Sequence, residues 1–92
     1  MEMLIYQIRN LTNDKKYYGK TDDFDRRRTR HYNDLNQNQH HCIPLQEDWK
    51  ELGEYNFAME ILETGLTVEE AARFEQELIK RSYGVNYNTS KW

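Results

Sequence analysis

The sequence predicts a small α/β domain of the α+β kind, three strands and three helices in a single unit over residues 1–92. Three observations lead there. Near the N-terminus, two short strand-like runs flank a turn rich in Asn, Asp and Thr, which is the pattern of a hairpin. Three later segments place apolar residues at helical spacing behind recognisable start or stop signals. A chain of 92 residues has room for one modest core, and no internal repeat is visible.

The first strand is read over residues 1–9, where Leu4, Tyr6 and Ile8 share one face and Ile5 and Gln7 the other. Residues 10–15 turn the chain, with Asn13-Asp14 as the hairpin tip. Residues 16–19 form a short second strand ended by Gly19. Asp22 is placed to cap a first helix, with Asp25 as an imperfect partner for a capping box. On that helix Phe24, Arg27 or Arg28, His31 and Leu35 share a stripe. Its ends are apolar, but its middle holds Arg27 and His31. A purely structural helix would carry Leu or Ile there, unless Arg27 sits at the edge and snorkels to water.

Residues 36–42 read as a polar surface loop. His40, His41 and Cys42 are adjacent, which is poor geometry for one zinc site, although such a loop can also face DNA. Pro44 and Gly53 bracket a second helix with Leu45, Trp49 and Leu52 buried. The third strand covers residues 57–63, with Phe57, Met59 and Ile61 on one face and a bend at Gly65. Thr67 and Glu70 form the capping box of the last helix, which Gly84 closes after Tyr83. Its inner stripe is Val68, Ala71, Ala72, Glu75, Leu78 and Ile79. Glu75 stands in the middle of that apolar row. A buried carboxylate is costly unless it is paired or binds a cation, so the position is either a structural ion pair, with Arg27 as partner, or a site.

Composition limits the function classes. Nothing N-terminal resembles a signal peptide and no apolar run is long enough to span a membrane, so a cytoplasmic protein is expected, in the host cytoplasm if phage-encoded. The single cysteine, Cys42, cannot form an intramolecular disulfide and suits a reducing compartment. Net charge is −3, yet it is unevenly spread. Lys15, Lys16, Lys20, Arg26, Arg27, Arg28 and Arg30 crowd one segment, while only Lys50 and Arg73 offset the acids from Glu47 to Glu77. One end can meet phosphates and the other repels them, or both are ordinary solvated surfaces.

Leu4-Ile5-Tyr6, then Tyr17-Tyr18-Gly19, then Arg27, His31, Glu75 and Asn88 in order, resemble the GIY-YIG nucleases, in particular the catalytic domains of phage and intron homing endonucleases. Two positions depart from the motif: Leu4 stands where the family has glycine, and Tyr18 where it has isoleucine. The resemblance implies a central three-stranded antiparallel sheet flanked by helices, with Tyr6, Tyr17, Arg27 and Glu75 around one face. It implies a metal-dependent DNA endonuclease using one Mg²⁺ (or Mn²⁺) on Glu75, with 5′-phosphate and 3′-hydroxyl products. Tyr6 is the candidate general base, Tyr17 positions water or phosphate, Arg27 contacts the phosphate, and His31 assists by hydrogen bonding or proton transfer. Lys20 is a supporting cation that favours a tyrosinate, or simply an exposed lysine. Asn88, or in a second register Asn86, pins the tail near the site. Lys20, Arg26, Arg27, Arg28 and Arg30 are the expected DNA contacts. DNA is the expected partner, with a homodimer or a separate DNA-targeting domain or protein for the second strand and the target. The competing readings are a DNA-binding or regulatory module that kept the fold and lost the chemistry, with Leu4 as its motive, and a structural domain whose acidic half meets another protein.

Overall fold

In the computed structural model, which describes residues 2–89, strand β1 is Met3–Asn10 and strand β2 is Lys16–Thr21. Met1, included in the expected first strand, lies outside the described residues. The two strands pair antiparallel, with Tyr6 opposite Gly19 and Ile8 opposite Tyr17. Side-chain oxygens make the connection: Asn10 Oδ1 accepts from the Thr12 amide at 2.9 Å, and Asn13 Oδ1 from the Lys15 amide at 2.9 Å. Strand β3, Phe57–Leu66, pairs antiparallel with the other side of β1, giving the order β2-β1-β3. Both β2 and β3 run past their expected ends at Gly19 and Glu63. β3 continues past Gly65, where the backbone kinks at a φ of 69°, and its pairing with β1 is irregular between Met3 and Tyr6.

Helix α1 is Phe24–Asn36 and its cap is Asp23, not Asp22. Thr21 Oγ1 bonds the Asp23 backbone at both amide and carbonyl, and this local turn uses one more residue before the helix opens. Asp23 Oδ1 then accepts from the Arg26 amide at 3.1 Å, so the box with Asp25 does not form. Helix α2 is Ile43–Leu52, followed by a 3₁₀ turn at Glu54–Asn56 that the sequence pattern did not announce. Helix α3 is Val68–Arg81, with the Thr67–Glu70 capping box present and its cap at Ser82, earlier than Gly84.

One core cluster joins Tyr6 and Ile8 to Leu35, Cys42, Leu45, Trp49, Phe57 and Tyr87. It holds the sheet to α1, α2 and the C-terminal tail. Ile5, on the opposite face of β1, and Ala71 of α3 are fully buried outside that cluster. The expected stripes are covered only in part. Ile61, on the edge strand β3, and Val68, in the first turn of α3, are exposed.

Candidate active site

Tyr6 is fixed by its neighbour across the hairpin. A Cβ on Gly19 would collide with Cζ and the hydroxyl oxygen of Tyr6, so the ring lies where only glycine leaves room. The Tyr6 hydroxyl is 2.6 Å from His31 Nε2. His31 reaches it because α1 turns His31 and Leu35, one turn apart, into the core. The imidazole chain continues: His31 Nδ1 is 2.7 Å from His40 Nε2, and the Cys42 amide donates to His40 Nδ1 at 3.0 Å. Gln46 locks this turn by accepting from the His40 amide and donating to the Leu35 carbonyl. Tyr17 Oη is 2.9 Å from His41 Nε2, and its ring meets His31 and His40 edge-on.

The charged half of the site comes from β2, α1 and α3. Lys20 Nζ donates to Glu75 Oε1 at 2.9 Å. Glu75 is therefore paired, but with Lys20 rather than Arg27. Arg27 is half-buried, and its Nη1 lies 3.5 Å from the Lys20 carbonyl. Lys20 pairs with Ile5 and Gly19 with Tyr6, so Lys20 on β2 and Tyr6 on β1 extend from opposite faces of the sheet. The site thus wraps the β2 edge, a correction to the single sheet face expected for it. Asn88 holds that edge from outside. Its side-chain amide accepts from the Tyr18 amide and donates to the Tyr18 carbonyl, both at 2.8 Å, as a paired strand would. Asn86 instead bonds the Ile79 carbonyl and Ser82 hydroxyl at the end of α3. A cleft of about 190 Å³ opens beside the histidines, lined by Arg27, Arg30, His31, Asp34 and His41. Arg26, Arg28 and Arg30 are exposed on α1; Arg28 lies over the Tyr32 ring and Arg30 is 4.0 Å from Asp34.

Burial dominates the electrostatics. It raises the Tyr6 phenol above its usual pKa, while the Arg27 guanidinium opposes this by hydrogen bonding and charge and the Glu75 carboxylate adds to it. Arg27, not Lys20, is the cation that favours a Tyr6 phenolate. Burial, then the charge of Tyr6, also raises Tyr17. Burial and the neighbouring His40 push His31 down to about 3, and burial and His41 push His40 down to about 4. Both rings are neutral at pH 7. Among the described residues no three His, Cys, Asp or Glu side chains gather as a closed metal cage. A hard divalent ion would take Glu75 and waters, a ligand set that Mg²⁺ accepts, and the Lys20 ammonium shows this carboxylate already holding a cation.

A family model described as the GIY-YIG catalytic domain matches residues 2–88. The chain belongs to the GIY-YIG family of nuclease domains. It is 41% identical over 63 residues to Intron-associated endonuclease 1 of Enterobacteria phage T4, a match covering 68% of this chain and 25% of that protein. The chain thus spans about a quarter of that relative's length. Its fold is similar to the catalytic domain of the homing endonuclease I-TevI, with a TM-score of 0.83 at 33% identity over 92% of this chain and 95% of that one. A mutant of the same catalytic domain matches at a TM-score of 0.81, again at 33% identity, over 94% and 90% of the two chains. The three-stranded antiparallel sheet with three helices is the fold of that domain. Of the two departures from the GIY-YIG motif, Leu4 is half-buried at the rim of the core, opposite Thr21, and does not line the cleft. Tyr18 is opposite Gln7, on the other face from Tyr17.

The largest correction concerns residues 40–42. His40 and Cys42 are buried, at 6% and 4% exposure, and only His41 is at the surface. A polar run between two helices carries no periodicity that marks burial. The one available signal was Pro44, in the first turn of α2, which brings Gln46 to the His40 amide and the Leu35 carbonyl.

Proposed function

We propose that this GIY-YIG domain is a DNA endonuclease that hydrolyses phosphodiester bonds with one divalent ion, Mg²⁺ or Mn²⁺, on Glu75. GIY-YIG nucleases generally depend on a divalent metal. The observation that carries the reading is the convergence on Tyr6 of His31 and Arg27 from α1 and Glu75 from α3, at the edge of a strand that leaves room through Gly19. When bound, the ion supplies positive charge at the scissile phosphate and the leaving 3′ oxygen. Arg27 binds a non-bridging phosphate oxygen through its planar fork and offsets charge in the transition state. Tyr6 takes the proton of the attacking water. Its buried phenol needs cations to ionise, and Arg27 provides one. His31 holds the Tyr6 oxygen, and Tyr17, anchored on His41, orients water or phosphate. Lys20 holds one oxygen of Glu75, so a metal on that carboxylate would compete with the Lys20 ammonium. Asn88 keeps β2 in register beneath these groups. The exposed Arg26, Arg28 and Arg30 meet the flanking backbone in a salt-sensitive way. One such site cuts one strand, so double-strand cleavage takes a homodimer or sequential nicks, and target choice falls to a separate DNA-targeting domain or protein.

The test is nicking of supercoiled plasmid at low salt with Mg²⁺, Mn²⁺ or chelator, comparing the parent with Arg27→Ala and Glu75→Gln. The parent is expected to yield relaxed circles only with metal, and both variants to lose at least about 10²-fold in rate. A folded parent that cuts no DNA form with either metal overturns the reading.

A further inference from the structure

We infer that His40 is a positioning residue: through one backbone amide it fixes the tautomer of His31 and so decides which way the Tyr6 proton points. The argument starts at the Cys42 amide. A backbone N–H can only donate, so at 3.0 Å from His40 Nδ1 it requires that nitrogen to be bare. A neutral imidazole with a bare Nδ1 carries its proton on Nε2. His40 is 6% exposed, with no carboxylate among its hydrogen-bond partners, which favours the neutral ring. Its Nε2–H lies 2.7 Å from His31 Nδ1, which must therefore accept. The single proton of His31 is then on Nε2, 2.6 Å from the Tyr6 oxygen. Tyr6 is the acceptor in that bond. Its own hydroxyl proton is excluded from it and turns away from the histidines. Reversing any one link would set two N–H groups, or two lone pairs, against each other inside the core.

For the endonuclease reading, on which the role in cleavage rests, the consequence is specific. The Tyr6 oxygen has a hydrogen bond waiting for it when it becomes a phenolate, and it exchanges protons on the substrate side rather than with His31. His31 is thereby a donor to Tyr6 and not its base. The donor at His40 Nε2 is the feature that matters, so a side chain supplying an N–H there should substitute. Gln46 holds the His40 backbone through its amide, so the tautomer is set by the join between α1 and α2 and not by the sheet.

Long-range ¹H–¹⁵N correlation spectra of histidine-labelled protein at pH 7 read the tautomers directly, because protonated and bare ring nitrogens differ widely in ¹⁵N shift. The parent is expected to show His31 and His40 both neutral and protonated at Nε2. His40→Leu should leave His31 as a mixture of tautomers and lower kcat for plasmid nicking by on the order of 10²-fold with KM little changed, the lower range of what a misplaced proton-transfer group costs. His40→Gln, which keeps an N–H donor near the Nε2 position, should restore the His31 tautomer and most of kcat. A ring protonated at Nδ1, or charged at pH 7, overturns the inference whatever the plasmid shows. So does an unchanged kcat in a folded His40→Leu protein. Should the parent cut nothing while the spectra are as described, the endonuclease reading falls and the orientation of Tyr6 stands.

Discussion

At the scale of single residues, the site is built from groups whose ordinary ionisation has been overruled by burial. His31 and His40 are held neutral, at about 3 and about 4, well below the 6.5 of a free imidazole. The sign of the linkage is fixed by where the protons go. Between pH 6.5 and the folded values the unfolded chain binds more protons than the native one, so stability is complete above about pH 6.5 and is lost as pH falls. At pH 5 each ring contributes a loss of about 2 kcal/mol, taking 1.36 kcal/mol for each pH unit below the unfolded pKa. The guanidinium midpoint should therefore fall clearly between pH 7 and pH 5, and His40→Gln should remove about half of that fall. A flat profile over this interval would mean that the rings are not buried neutral. Gly19 acts at the same scale: the space it leaves is what brings the Tyr6 ring to His31.

At the scale of elements, β2 is the decisive one. It is short, lies at the edge of the sheet, and carries Tyr17, Gly19 and Lys20. An edge strand exposes unpaired amides and carbonyls. Here the C-terminal tail covers them: the Asn88 side chain takes both groups of Tyr18, and the Tyr87 amide donates to the Lys16 carbonyl at 2.8 Å. Tyr87 itself is fully buried, and its hydroxyl donates to Asp48 and accepts from Asn10. The tail is thus a strap across β2. Asn88→Ala should cost about 1–2 kcal/mol in denaturant titration, for two net hydrogen bonds. Asn88→Asp, nearly the same shape, should cost more, because a carboxylate oxygen would then oppose the Tyr18 carbonyl. Equal costs would assign the effect to packing of the tail rather than to the paired amide.

At the scale of the whole molecule, Lys20 and Glu75 join the sheet edge to α3 with a pair that the proposed metal competes with. Their side chains are 37% and 17% exposed, so the pair is worth little by itself and a divalent ion can compete with it. Lys20→Met should bind Mn²⁺ about 5-fold more tightly in calorimetric titration, a partly exposed ion pair being worth about 1 kcal/mol. Unchanged or weaker binding would mean that the ion does not share this carboxylate. The surface charge also divides the molecule, with Arg26, Arg28 and Arg30 exposed on α1 and the acidic run on the segments from α2 to α3. That division orients a polyanion toward α1 without making the chain a strong general DNA binder.

The sequence by itself determined the strands, the helices, the caps at Thr67 and the ordered set of Tyr6, Tyr17, Arg27, His31, Glu75 and Asn88. These depend on local spacing, turn chemistry and motif order, which are written along the chain. Glu75 stood out because a carboxylate in an apolar stripe needs a partner. Which partner was decided by tertiary structure, since Lys20 and Arg27 are equally cationic and only the packing of β2 and α1 against α3 separates them. The buried His40 was decided the same way. Nothing in an Asn, Gln and His run predicts burial, because what buries it is the docking of α2 against α1, a contact between elements with no period of its own. The direction of the imidazole chain is the furthest from the sequence. It is fixed by a backbone amide, at Cys42, whose donor character is common to every residue except proline and acquires meaning only from what it faces.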